Sequence, residues 1–139
     1  MKIAICDDEK LYCEKLYREI KELTLQWKNL KEIFVCYDGS SLEEAHKKYI
    51  FDIILLDVDL GKDNGFEVAK YVRNISKHCK IIFLSNHEEW VQDAFKVHAY
   101  RYIYKSKDCE DGLKEAIQSA YKELQQDKYI LIPQKDKLV

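Results

Sequence analysis

Short apolar runs alternate along this chain with longer stretches in which apolar residues recur every three or four positions. The short runs have the composition of strands, and the continuous apolar run Asp52–Leu56 indicates a strand buried on both faces. The periodic stretches indicate amphipathic helices. The predicted strands are Lys2–Cys6, Glu32–Cys36, Asp52–Leu56, Lys80–Leu84 and Tyr100–Tyr104. The predicted helices are Leu11–Trp27, a helix capped by Ser40 or Ser41 that runs to about Lys48, Phe66–Ile75, Glu88–Val97 and Asp111–Gln125.

This alternation of strands and helices predicts an α/β fold with a doubly wound, five-stranded parallel sheet. Parallel neighbours need crossover connections, and helices serve as crossovers on both faces of such a sheet. Because the last clear helix ends at Gln125, we expect one domain over residues 1–125. The segment Tyr129–Ile132 follows a polar stretch and has strand character. We therefore expect residues 126–139 to be a linker and the first strand of a further domain.

Composition narrows the class of protein. The 139 residues are 47% hydrophobic, enough for one compact core, and the net charge of −2 gives no basic stripe for nucleic acid. Five cysteines without a CxxC pair suggest reduced thiols rather than a disulfide framework or a metal site. The apolar runs are far shorter than the roughly 18 residues that a membrane span requires. We expect a cytoplasmic protein without a membrane segment.

The candidate chemistry lies where the predicted strands end. Asp7 and Asp8 follow the first strand, Asp57 the third, Ser85 the fourth and Lys105 the fifth. In a doubly wound sheet, ligands bind at the carboxyl ends of the strands. Three nearby carboxylates repel one another unless a cation lies among them, and oxygen ligands favour Mg²⁺. A carboxylate beside Mg²⁺ can act as a nucleophile toward a phosphoryl group, with Lys105 neutralising charge and Ser85 donating a hydrogen bond.

Each of these residues also has an ordinary structural interpretation. Asp7 and Asp8 could cap the first helix, Asp57 could be a loop acid, Ser85 could be another helix cap, and Lys105 could be a solvated surface charge. What favours a functional site is their joint position at four strand ends.

Four segments have a familiar order and spacing. They are Ile3–Glu9, Phe51–Leu60 with the following Asn64-Gly65, Ile81–Ser85 and Ala99–Lys105. Together, over about Met1 to Gln125, they resemble the receiver domain of a bacterial two-component response regulator.

This resemblance implies a flavodoxin-like fold with strand order 2-1-3-4-5. It implies that a sensor histidine kinase phosphorylates Asp57, and that Asp7, Asp8 and Asp57 bind Mg²⁺ with the backbone carbonyl of Asp59. It also implies a switch in which Ser85 moves toward the phosphoryl group and Tyr102 moves from an exposed to a buried rotamer. The surface formed by the fourth helix, fifth strand and fifth helix would change and could form a homodimer.

Three positions depart from the family pattern, and a fourth adds charge. Gly61 stands where proline is common, Asn86 stands where a small residue is usual, and Ser106 replaces a proline that usually follows a cis bond. A cis bond before a non-proline residue costs about 3 kcal/mol, so the geometry after Lys105 is open. Asp59 adds negative charge near the acceptor, which we expect to affect dephosphorylation.

A narrower resemblance concerns the output. The run from Asp57 to Gly61, the following Asn64-Gly65 and the pair Lys105-Ser106 are similar to regulators with a LytTR-type DNA-binding domain. The segment from Tyr129 to Pro133 resembles the first strand of that domain. This implies a receiver from a longer transcription regulator that binds DNA only through an output domain absent from these 139 residues.

Two other functions are compatible with parts of the pattern. Asp57-Val58-Asp59 fits the DxD of a haloacid dehalogenase-like phosphatase, with Asp57 as nucleophile and Asp59 as general acid. Against this, the acidic pair precedes the DxD, whereas in those enzymes it follows. The second alternative is a stand-alone receiver, or a pseudo-receiver used as a binding module. The complete set of acceptor, acidic pair and lysine disfavours the pseudo-receiver.

Overall fold

The sheet has the predicted five-stranded architecture. The structure, a computed structural model, describes residues 1–29 and 32–138, with side chains described as far as residue 127. The strands are β1 Lys2–Cys6, β2 Glu32–Cys36, β3 Ile53–Asp57, β4 Asp59–Leu60, β5 Asp63–Asn64, β6 Lys80–Ser85 and β7 Arg101–Tyr104. The helices are α1 Lys10–Leu23, α2 Gly39–Tyr49, α3 Gly65–Ile75, α4 Val91–Lys96 and α5 Cys109–Leu138.

The strand order confirms the predicted fold. The main sheet runs β2-β1-β3-β6-β7 with every pairing parallel, which is the order 2-1-3-4-5 when only its five strands are counted. The two-residue strands β4 and β5 form a separate antiparallel ladder just after β3.

Two hydrophobic clusters cover the two faces of this sheet. On one face, α2, α3 and α4 pack against alternate residues of β3 such as Ile54 and Leu56. On the other face, α1 and α5 pack against Ile53 and Leu55. Because successive side chains of a strand point to opposite faces, all five residues of β3 are buried. The acceptor candidate Asp57 is thus the last residue of the most deeply buried strand.

The first helix ends earlier than the periodicity predicted. α1 stops at Leu23, and the Thr24 hydroxyl donates a hydrogen bond to the Ile20 carbonyl at 2.7 Å. Trp27 therefore lies outside the helix. Its ring packs against the hydrophobic cluster that α1 and α5 form with the sheet, and it stacks on Tyr121 with centroids 3.8 Å apart. The apolar spacing continued past the helix end because the chain after the turn covers the same core.

The cap of the second helix was also predicted wrongly. α2 begins at Gly39, and the side chain of Asp38 accepts a hydrogen bond from the Ser41 amide at 2.7 Å. Ser40 and Ser41 are therefore inside the first turn. A carboxylate at this position satisfies one of the free amides of the helix start.

The strand prediction for Tyr129–Ile132 was wrong. α5 continues without a break from Cys109 to Leu138, so this segment is helical. A helix satisfies its own backbone hydrogen bonds, whereas a strand needs a neighbouring strand, and no described strand pairs with this segment. The domain boundary at residues 125 and 126 stays a prediction. Among the described residues, no helix combines the length and apolar character needed to cross a membrane.

Candidate acceptor site at the carboxyl edge of the sheet

Four of the predicted site residues meet at one edge of the sheet. Asp7 follows β1, Asp57 ends β3, Ser85 ends β6 and Lys105 follows β7. Parallel strands bring their carboxyl ends to the same edge, so residues far apart in sequence become neighbours. Asp7, Asp57 and Ser85 are buried, with 2%, 8% and 0% of their surface exposed.

Lys105 bridges two of the carboxylates. Its Nζ lies 2.8 Å from Oδ2 of Asp7 and 3.3 Å from Oδ2 of Asp57, and only 9% of the side chain is exposed. Burial alone would lower the pKa of Lys105, but the hydrogen bond to Asp7 and the charge of Asp57 together raise it. The ammonium therefore stays charged, and the two acids share one cation.

The acidic residues have the donor set of a site for a hard cation. Asp7, Asp8 and Asp57 each offer one carboxylate oxygen, and these oxygens lie within 4.8 Å of one another. Burial raises the pKa of Asp57 to about 6, with Lys105 opposing and Asp7 adding to that shift. Extra positive charge beside Asp57 would stabilise its carboxylate and lower this pKa. Oxygen-only donors with one exposed member, Asp8, suit Mg²⁺, which keeps several waters when bound.

Asp59 is placed differently from the other acids. Its side chain is exposed, and Oδ1 accepts a hydrogen bond from the Gly61 amide at 3.2 Å. The Asp59 amide itself donates to Oδ1 of Asp57 at 3.3 Å. The Asp59 carboxylate thus hydrogen-bonds to the backbone of its own loop, which gives no support to a general-acid role in a phosphatase. The predicted use of the Asp59 carbonyl as a metal ligand stays a prediction.

Ser85 and Tyr102 both form hydrogen bonds with the backbone of His87. The Ser85 hydroxyl accepts a hydrogen bond from the His87 amide at 3.0 Å, and the Tyr102 hydroxyl donates to the His87 carbonyl. Tyr102 is half-buried, and its ring centroid lies 6.1 Å from that of Phe83. The two predicted switch residues are therefore linked through the loop after β6. Their roles in switching stay predictions.

The structure explains two of the departures from the family pattern. Gly61 has φ +76°, a backbone conformation closed to proline, whose ring holds φ near −65°. Within the described ranges there is no cis peptide bond, so the bond between Lys105 and Ser106 is trans. The Lys105 amide still donates to the Ser85 carbonyl at 2.7 Å. Asn86 has an exposed side chain.

Tyr12 is a neighbour of Lys105 that sequence reasoning missed. It lies on α1, and the Lys105 Nζ is 4.3 Å from the centroid of its ring. Periodicity assigns Tyr12 to a helix, but it gives no distance to a lysine 93 positions later in the printed sequence. No signal in the sequence could have found this contact.

Comparison with known proteins identifies the family of this chain. The family model described as the response regulator receiver domain matches residues 3–118. The sensory transduction protein LytT of Oceanobacillus iheyensis is 33% identical over 142 aligned positions, covering 99% of this chain and 54% of that protein. The LytT protein of Bacillus cereus is 30% identical, covering 79% of this chain and 43% of that protein. The chain thus spans about half the length of these curated relatives.

Solved structures agree on the fold. The receiver domain of AraT from Geobacillus stearothermophilus aligns with a TM-score of 0.79 at 22% identity, covering 91% of this chain and 97% of that one. The response regulatory domain of MrkE from Klebsiella pneumoniae aligns with a TM-score of 0.79 at 22% identity, covering 91% and 99%. The family model, which matches residues 3–118, shows that the chain belongs to the response regulator receiver domain family.

Proposed function

We propose that this receiver domain accepts a phosphoryl group on Asp57 from a phosphohistidine of a sensor histidine kinase. The supporting observation is the position of the Lys105 ammonium, within hydrogen-bonding distance of both Asp7 and Asp57. A buried lysine beside a buried carboxylate can neutralise the phosphoryl oxygens that arrive there. We further propose that the exchange takes place in the cytoplasm.

In this reaction a carboxylate oxygen of Asp57 attacks the phosphorus atom. A new O–P bond forms, the bond from phosphorus to the histidine nitrogen breaks, and its electron pair leaves with the nitrogen. Asp7, Asp8 and Asp57 would hold Mg²⁺, together with the backbone carbonyl of Asp59. When bound, Mg²⁺ would neutralise charge on the phosphoryl oxygens. The Lys105 Nζ, 3.3 Å from Oδ2 of Asp57, would donate to a phosphoryl oxygen.

The proposed switch uses Ser85 and Tyr102. On phosphorylation the Ser85 hydroxyl would donate to a phosphoryl oxygen, which requires it to release the His87 amide. The Tyr102 hydroxyl already donates a hydrogen bond to the His87 carbonyl, so movement of this loop would also displace the tyrosine side chain. We expect the change to reach the surface of α4, β7 and α5, where Phe95 and Tyr104 are exposed, and to alter homodimer formation.

We propose that the output is DNA binding by a LytTR-type domain. The LytT relatives are about twice as long as this chain, which fits a receiver followed by a second domain. Residues 126–139 would then connect the receiver to that domain. A stand-alone receiver is the alternative. The open reading frame of the source gene separates the two, because the proposal requires coding sequence for an output domain after Val139.

The function is tested by incubating the chain with acetyl phosphate and following the intact mass. We expect one phosphoryl adduct that forms with Mg²⁺, is absent without it and is removed by hydroxylamine. Asp57→Asn is the control and should stay unmodified. Steady hydrolysis of the donor without an adduct would instead support a phosphatase. No adduct and no hydrolysis would support a pseudo-receiver.

A further inference from the structure

The ammonium of Lys105 has an aromatic neighbour on α1. Two oxygens contact it, one from Asp7 at 2.8 Å and one from Asp57 at 3.3 Å. The Tyr12 ring provides a third contact, with its centroid 4.3 Å from Nζ. A cation at this distance from a ring face is attracted by the negative charge of that face.

The helix that carries Tyr12 is tied to the same site. Tyr12 is the third residue of α1, which begins two residues after Asp8. The neighbouring Cys13 donates its amide to the Glu9 carbonyl at 3.0 Å and its thiol to the Asp7 carbonyl at 3.2 Å. These bonds join the first turn of α1 to the end of β1. The backbone that carries the ring is therefore fixed relative to Asp7.

Lysine by itself is poorly suited to fixed positioning. Its side chain is flexible, and its ammonium is a point charge that many rotamers can place near a carboxylate. Here the ring centroid lies 4.3 Å from Nζ, and only 9% of the lysine side chain is exposed. Attraction to the ring would therefore disfavour rotamers that turn Nζ away from the two carboxylates.

We propose that Tyr12 is a positioning residue whose ring face holds the Lys105 ammonium between Asp7 and Asp57 and thereby raises the rate at which Asp57 is phosphorylated. The inference rests on the proposed function. The ring, rather than the hydroxyl, carries this role, so phenylalanine should replace tyrosine and leucine should not. Tyr12 makes no contact with the phosphoryl group and acts only through Lys105.

The test compares three variants of the full chain in acetyl phosphate and Mg²⁺. Tyr12→Leu removes the ring, Tyr12→Phe keeps it, and Tyr17→Leu is the matched control. Tyr17 is also half-buried on α1 and has a lysine over its ring, Lys21 at 5.5 Å, but lies away from the site. We expect Tyr12→Leu to be phosphorylated about two- to thirtyfold more slowly than the wild type. Tyr12→Phe and Tyr17→Leu should stay within about twofold.

Two further measurements separate positioning from general damage. In a Lys105→Met background, Tyr12→Leu should cause no additional slowing, because its effect passes through Lys105. By NMR, the ε-methylene protons of Lys105 should be shifted upfield by the ring in the wild type and in Tyr12→Phe, and should move downfield in Tyr12→Leu.

The proposal is overturned if Tyr12→Leu matches the rate of Tyr17→Leu, or if it slows the Lys105→Met protein as much as the wild type. If the wild type forms no adduct, the proposed function fails, and the NMR shift alone decides the positioning. An unchanged Lys105 signal in Tyr12→Leu would then overturn it.

Discussion

Gly65 lies directly against the strand end that carries Asp57. It begins α3, and its amide donates to the Val58 carbonyl at 2.7 Å. A Cβ at this position would lie 2.3 Å from the Asp57 carbonyl oxygen and 2.7 Å from the Val58 Cα. Both are backbone atoms, so neither can rotate away as a side chain would. We expect Gly65→Ala to force apart α3 and the end of β3.

The size of this effect follows from three contributions. Overpacking in a close-packed region destabilises by about 1–3 kcal/mol, and loss of the amide hydrogen bond adds about 1 kcal/mol. Alanine is a better helix former than glycine by about 1 kcal/mol, which offsets part of this loss. We place Gly65→Ala at about 2–3 kcal/mol less stable than the wild type, since the clash is with backbone. At a typical dependence of unfolding on urea, the midpoint falls by about 1–2 M.

The chain contains a matched control for this substitution. Gly112 is exposed on α5, and a Cβ there would meet no atom within 4 Å. Gly112→Ala should therefore raise the free energy of unfolding by up to about 1 kcal/mol. Both variants are measured by urea unfolding with circular dichroism, in the absence of Mg²⁺. A Gly65→Ala midpoint equal to or above that of the wild type would refute the reasoning.

Three more predictions concern the titration of buried groups and the binding of Mg²⁺. His46 is fully buried, its Nδ1 accepts from the Phe51 amide at 3.1 Å, and burial, with a smaller effect of Arg73, lowers its pKa. The contribution of neutral His46 to the free energy of unfolding is present above the unfolded pKa near 6.5 and is lost as pH falls through the lower folded pKa. The free energy of unfolding should therefore decrease less between pH 7 and pH 5 in His46→Asn than in the wild type, as measured by urea unfolding at both pH values. Asp57→Asn should raise the urea midpoint at pH 8 without Mg²⁺, because burial raises the pKa of this acid to about 6 and its charged form destabilises the fold above that pH. Mg²⁺ should raise the midpoint of the wild type but raise it much less in Asp8→Asn, as measured by titration at fixed pH; an equal rise would contradict the proposed ligand set.

Most of the fold could be predicted from the sequence, because short apolar or β-branched runs alternate with stretches of helical periodicity. β1 and β2 were predicted with their observed bounds, and β6 and β7 were each placed within one residue. Errors occurred where a side-chain contact decides the end of an element, as at Thr24 and Asp38. The ladder of β4 and β5 was missed because strands of two residues carry no periodicity.

The sequence predicted which residues lie at the candidate site, but not how their side chains contact one another. Strand ends placed Asp7, Asp57, Ser85 and Lys105 at one edge, and the structure brings them together there. The sequence could not show that Lys105 contacts both acids, since that depends on a side-chain rotamer. It also could not show the ring of Tyr12, because helical phase relates residues only to neighbours on the same helix.

The central claim is that Asp57, rather than a neighbouring acid, takes the phosphoryl group. The most direct measurement is to phosphorylate the chain with acetyl phosphate and Mg²⁺, reduce it with borohydride and sequence the peptides by mass spectrometry. Reduction converts a phosphorylated aspartate to homoserine and leaves free carboxylates unchanged. We predict homoserine at position 57 alone, and aspartate at positions 7, 8 and 59. Homoserine at position 7, 8 or 59, with Asp57 intact, would contradict the account.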